Sequence, residues 1–183
     1  MTDHFVVYGD FNCPYSALAA VRVDRIVAAG NADVEWRAVE HDPTIPAGGR
    51  PVTGDVADAD DRELAEVTGL ASSEDRLEMR RPAIQPNTAL AVAAFAAVGG
   101  ADADALRRRL FHALWVDGRD LGDPDVLGRL GAVPGADGGR GAQWQAQWAA
   151  IDRRLVPLMI LDGGRVSRGL GALSRLATIA AGD

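Results

Sequence analysis

The chain has 183 residues, a formal net charge of −7 and 48% hydrophobic residues, enough for one domain with a real core. The acidic balance argues against nucleic acid or an anionic membrane surface as main partner, and no apolar run approaches the ~18 residues of a membrane span. All 19 basic residues are Arg, which excludes Schiff-base chemistry, and the single cysteine excludes an internal disulfide framework.

Met1-Thr2-Asp3-His4 lacks the basic region and long apolar stretch of a signal peptide, so a cytoplasmic location is expected. Phe5-Val6-Val7-Tyr8 reads as a strand ended by Gly9-Asp10, and Ser16 to Val23 reads as a helix running to Gly30. Pro14 suits the first helical position, which places Cys13 at or beside the N-cap. There the orphan N–H groups and the positive end of the helix dipole favour a thiolate. A pKa of about 6 to 7.5 is expected, below the free value of about 8.5. Ser16 stands where the second cysteine of a C-x-x-C pair would be, so Cys13 has no internal resolving partner.

Val34, Trp36 and Ala38 alternate with Glu35 and Arg37 as a second strand, and Pro43 to Asp55 reads as a loop. Asp55, Asp58, Asp60 and Asp61 lack the glycine and distal Glu of a calcium loop, and read as caps for a helix from Asp61 to about Leu70. A second helix is expected from Ser73 to about Arg80, stopped by Pro82. Asn87 caps an almost wholly apolar helix from Thr88 to Val98, ended by Gly99-Gly100. Asp102 or Asp104 opens the next, with Leu106, Leu110, Ala113 and Leu114 as its inner stripe and Arg107-Arg108-Arg109 as a solvated face. Asp123-Pro124 starts a short helix, Gly135 to Gly141 is a flexible link, and Trp144, Trp148, Ile151 and Leu155 recur at helical spacing as core. Val156 to Leu161 is a strand, Asp162 to Arg165 a hairpin turn, Val166 the start of its partner, and Leu170 to Ala181 the closing helix. His4, His41 and His112 are scattered without ligand spacing, and Ala47-Gly48-Gly49-Arg50 is not a phosphate loop, so no metal is expected.

The order is β-α-β, a block of helices, then α-β-β-α. With Cys13-Pro14 at the first helix start and Pro157 opening the third strand, it resembles a thioredoxin-like fold, an α/β class with a four-stranded mixed sheet and a helical insertion. More closely, it is similar to the DsbA-like family that includes FrnE-type oxidoreductases, kappa-class glutathione transferases and hydroxychromene carboxylate isomerases. The carriers are Asp10-Phe11-Asn12-Cys13-Pro14-Tyr15, Asn87-Thr88, Leu110 to Trp115 with Gly118-Arg119-Asp120-Leu121, and Val156-Pro157. The resemblance implies residues 1–55 and 141–183 as the thioredoxin-like part and 56–140 as the insertion. It implies Cys13 as the attacking cysteine, with Pro14 beside it and Ser16 at the resolving position. Val156-Pro157 matches a cis-proline step that offers backbone groups to a bound thiol peptide. Tyr15 and Trp36 are candidate pocket walls, and Asp10 is a candidate proton acceptor or turn cap.

Two departures bear on activity. The transferase and isomerase branches carry Ser at the Cys13 position, so Cys points to thiol exchange. The acid that binds a glutathione γ-glutamyl group in those branches has no counterpart in Arg168-Gly169-Leu170-Gly171-Ala172. The expected activity is a monothiol thiol–disulfide oxidoreductase with an external resolving thiol, glutathione or mycothiol, and no tightly bound cofactor. The alternatives are a small-thiol-dependent transferase or isomerase and a non-catalytic binding module. A thiol or disulfide compound is the expected partner, and a homodimer is compatible with the sequence.

Overall fold

A computed structural model describes residues 3–133 and 137–182. The elements are β1 (Asp3–Gly9), α1 (Pro14–Ala29), β2 (Ala32–Ala38), β3 (Arg50–Pro51), α2 (Gly54–Leu70), β4 (Ile84–Gln85), α3 (Ala89–Ala96), α4 (Gly100–Trp115), α5 (Pro124–Arg129), α6 (Arg140–Ala149), β5 (Leu158–Leu161), β6 (Val166–Arg168) and α7 (Leu170–Ala181). One 3₁₀ turn, Asp162–Gly164, joins β5 to β6.

The main sheet has the order β2-β1-β5-β6. β1 runs parallel to β2 and antiparallel to β5, with Val7 opposite Met159 and Tyr8 opposite Leu158. This four-stranded mixed sheet, flanked by helices, is a thioredoxin-like fold. Phe5 and Val7 alternate inward and are buried with Leu18, Val23 and Ile26 of α1 and Leu173 and Leu176 of α7. Gly9, next on the same face of β1, leaves room for the Trp36 ring to close in; a Cβ built there would lie 2.3 Å from Trp36 Cζ2.

Helix α1 starts as its sequence indicates. Cys13 is the N-cap with extended backbone, Pro14 follows, and Gly30 ends the helix at φ 68°. Asn87 Oδ1 accepts the Ala89 N–H at 3.1 Å at the start of α3, and Asp123 caps α5 through the Asp125 N–H. Pro157 precedes β5, where its missing N–H costs no ladder bond, and the Val156–Pro157 peptide bond is cis.

Four expectations are corrected. Helix α2 begins at Gly54, not Asp61, because Thr53 supplies the extended N-cap and Asp55 lies in the first turn. Residues 73–80 form no helix, because Asp75 is drawn into a buried ion pair with Arg22. Arg107 is not solvated: it is buried, paired with Asp24 at 2.6 Å and Asp104 at 2.7 Å, and stacked over Trp36. Ile151 and Leu155 lie beyond the end of α6, and Leu155 is exposed. The expected link from Gly135 falls partly outside the described residues, and its last two residues already belong to α6. Among the described residues no helix is long and apolar enough to cross a membrane.

Asp75 holds α1 to the irregular segment after α2. Its carboxylate accepts from Arg22 at 2.9 Å, Arg25 at 2.7 Å and the Ser72 N–H at 2.9 Å. Arg22 also donates to the Leu70 and Leu173 carbonyls, so the knot reaches α2 and α7. Burial opposes the Asp75 charge, but Arg22, Ser72 and Arg25 outweigh it and hold the carboxyl below the ordinary range. A lowered folded-state pKa means the contribution is full above the unfolded value and is lost as pH falls through the folded value. Asp75→Ala is expected to cost about 3–5 kcal/mol at pH 7, as breaking a buried pair does. Urea titration at pH 7 and at acid pH checks it: the gap between variant and wild type should shrink in acid.

Candidate functional site

A cavity of about 590 Å³ opens at the N-terminus of α1. Cys13, Pro14 and Tyr15 form one side, Val156 and Leu155 another, α2 contributes Val56, Ala59, Asp60 and Glu63, and His41, Ile45 and Trp115 complete the wall. Cys13 is 6% exposed, and its thiol donates to the Val156 carbonyl at 3.8 Å, across the gap between α1 and the segment before β5. Trp115 Nε1–H donates to the Phe11 carbonyl at 2.9 Å, which fixes the loop leading to Cys13 from the α4 side. The Tyr15 hydroxyl donates to Glu66 at 2.8 Å, tying the start of α1 to α2. Burial and the Glu66 carboxylate both push the Tyr15 phenol up, so it stays neutral.

The expected low Cys13 pKa is reversed. Burial raises it to about 12; hydrogen bonds from the Ser16 side chain and the Ser16 and Tyr15 backbone act against this, and the Asp10 charge adds to the rise. The helix start supplies donors, but the sulfur sits below the surface with an acid behind it and no cation at hand. Desolvation wins.

The sequence candidates separate into three groups. Cys13, Pro14, Tyr15 and Val156 line the cavity. Ser16, Asp10 and Pro157 are buried and do not line it: Ser16 is 0% exposed and its Oγ accepts the Asp10 N–H at 3.3 Å, while the Pro157 carbonyl accepts the Gly169 N–H at 2.8 Å. Trp36 is not a wall of this cavity. It pairs with Val7 across β1–β2 and packs edge-on against Phe111, facing a separate groove with Phe95 and Trp144.

Asp10 is a hub, not an open proton acceptor. Its Oδ1 takes the Asn12 N–H at 2.9 Å and the Thr88 hydroxyl at 3.0 Å; its Oδ2 meets the His41 N–H at 2.8 Å and His41 Nδ1 at 2.7 Å. Sequence reading missed His41, grouping it with histidines that lack ligand spacing. The available signal was its place just past β2, since ligands in α/β sheets gather at the carboxyl ends of parallel strands. Burial works against the His41 charge, yet Asp10, then Asp42 and Glu63, outweigh it and raise the ring above its ordinary value. Three arginines reach the rim: Arg50 is held by Asp42 at 3.1 Å and Arg81 by Asp61 at 2.7 Å, while Arg154 has no ion pair among the described residues. No cluster of three His, Cys, Asp or Glu side chains there could hold a metal ion.

A family model described as a DSBA-like thioredoxin domain matches residues 5–143. Among solved structures, a probable DsbA oxidoreductase from Streptomyces coelicolor aligns at 18% identity over 99% of this chain and 91% of its own, with TM-score 0.68. A 2-hydroxychromene-2-carboxylate isomerase aligns at 20% over 98% and 93%, TM-score 0.66. The cytosolic disulfide reductase DsbM from Pseudomonas aeruginosa, solved with GSH, aligns at 16% over 97% and 96%, TM-score 0.67. At these identities the likeness is one of fold. No curated protein matches in sequence.

The raised thiol has a direct check. Thiolate absorbance near 240 nm, taken as the difference between the protein and its Cys13→Ser variant, should stay flat through neutral pH and rise only above about pH 10. Unfolding in urea should return the transition to about 8.5. An inflection at 6 to 7.5 in the folded protein would restore the activated-thiol expectation.

Proposed function

The chain belongs to the DSBA-like thioredoxin domain family, and from that premise we propose that it is a monothiol thiol–disulfide oxidoreductase acting through Cys13 in the reducing direction. The observation that carries this reading is the placement of the chain's one sulfur nucleophile on the cavity wall, against the Val156 carbonyl. A disulfide R–S–S–R′ enters beside Cys13. The Cys13 sulfur bonds to the R sulfur, the S–S bond breaks, and R′ leaves as a thiol carrying the proton Cys13 gave up. An external low-molecular-weight thiol, such as glutathione or mycothiol, then attacks the R sulfur, forms a new disulfide with it, and returns Cys13 to the thiol.

The direction follows from the burial of Cys13. A strong oxidant of this kind needs its reduced form stabilised, as a low-pKa thiolate is. Burial does the opposite here: with the thiol pushed up to about 12, Cys13 rests as the neutral thiol at pH 7. A high-pKa sulfur is scarce as the attacking thiolate and also leaves slowly, so both the attack on the substrate and the release of Cys13 need help with the proton.

The same neutral thiol favours a second reading. A protonated Cys13 could donate a hydrogen bond to the sulfur of a bound small thiol, as a transferase or isomerase would need, without attacking anything. The Cys13→Ser variant separates the two. Incubation with 2-hydroxyethyl disulfide should add one half-disulfide mass to Cys13, reversed by 2-mercaptoethanol, and Cys13→Ser should reduce turnover to background. If instead Cys13→Ser retains conjugation of a thiol with an electrophile such as 1-chloro-2,4-dinitrobenzene and the wild type forms no mixed disulfide, the second reading stands. Ser16→Cys should lower the dependence of turnover on external thiol, because it supplies a resolving sulfur at the C-x-x-C spacing.

A further inference from the structure

A neutral, buried Cys13 needs a partner that takes its proton during attack and gives one back when its sulfur leaves. We infer that His41, oriented by Asp10, is that proton carrier, so that Asp10, His41 and Cys13 form a relay across the cavity wall. This rests on the Cys13 chemistry proposed above.

The geometry begins at Asp10, which is 2% exposed. Its two oxygens meet four donors from three residues: the Asn12 N–H, the Thr88 hydroxyl, and the N–H and Nδ1 of His41. A carboxylate so engaged cannot turn, and it accepts only, so His41 Nδ1 carries the hydrogen and Nε2 presents its lone pair. Nε2 has no partner among the described residues, the His41 side chain is 39% exposed, and the ring lines the cavity that Cys13 also lines. This is the logic of a nucleophile, a base and an orienting acid. The charged groups facing the ring are Asp10 behind it, Asp42 beside it and Glu63 from α2, with Arg50 held on Asp42. All three acids support an imidazolium, which is the form the relay must hold for part of each cycle. Behind the thiol stand Asp10 and Ser16, and no cation there stabilises a free thiolate.

In the first half of the cycle the Cys13 proton passes to Nε2, directly or through one water, as the sulfur attacks. The imidazolium then gives it to the departing R′ thiolate. In the second half His41 takes the proton of the incoming thiol and returns it to the Cys13 sulfur as that sulfur leaves. Asp10 is a positioning residue: it fixes the tautomer and offsets the charge.

Iodoacetamide needs only the first proton transfer, because iodide leaves unprotonated. Its rate with Cys13 between pH 5 and 9 should climb and then level off in the neutral range, following neutral His41. His41→Ala should lower that rate at pH 7 by about 10² to 10⁴, the usual worth of a positioned acid–base group, turn the profile into a tenfold rise per pH unit, and respond to added imidazole. His41→Asn, whose amide can still donate to Asp10, should keep the melting temperature of the wild type but not its rate. A wild-type profile without a levelling between pH 5 and 9, or a His41→Ala rate within threefold of wild type, overturns the relay. Mixed-disulfide formation with 2-hydroxyethyl disulfide tests the underlying reading separately. Its absence in the wild type removes the exchange function while the alkylation profile still decides the relay; its presence with an unaffected His41→Ala rate removes the relay alone.

Discussion

One buried carboxylate organises the working end of this molecule. Asp10 sits where β1 gives way to α1, and its partners come from the same loop, from the segment after β2 and from the start of α3. A buried anion with too few donors would be costly, so each of these pieces is held in register by the same requirement. The loop also carries Cys13, and Ser16 closes it from behind by accepting the Asp10 N–H. The position of the sulfur is therefore set by polar satisfaction as much as by hydrophobic packing.

Around that anchor the cavity is assembled from unlike parts. The α1 end brings Cys13, Pro14 and Tyr15, the segment before β5 brings Val156, and α2 adds an acidic wall with Asp60 and Glu63. Burial raises both of these carboxyls, with neighbouring acids adding to the effect at Glu63. On the rim, Arg50 and Arg81 are each held by an acid, while Arg154 has no ion pair among the described residues.

Much of this was legible in the chain. Strands β1, β2 and β5 announce themselves through β-type runs and alternation, Cys13-Pro14 marks a helix start by local chemistry, and Asn87 and Asp123 are caps that work as caps. What escaped depends on partners distant in sequence. Asp75 abandons a local helix because Arg22, 53 positions away, offers a buried ion pair. Arg107 looked like one of three solvated arginines because nothing local reveals that Asp24 waits beside it. Trp36 carried the right residue type for a pocket wall, but its ring settles over Gly9 and against Phe111, off the cavity lining. The Cys13 acidity failed for the same reason: the helix start is a local feature, whereas depth of burial is a property of the whole fold.

The depth of Cys13 also bears on the protein's durability. Peroxide climbs the oxidation ladder from sulfenic to sulfonic acid through the thiolate, and preferentially where that thiolate is exposed. A sulfur that is 6% exposed and pushed up to about 12 gives such oxidants very little to attack. A chain with no second cysteine cannot rescue a sulfenic acid by closing its own disulfide, so the cover over its one thiol is the protection it has within its own fold.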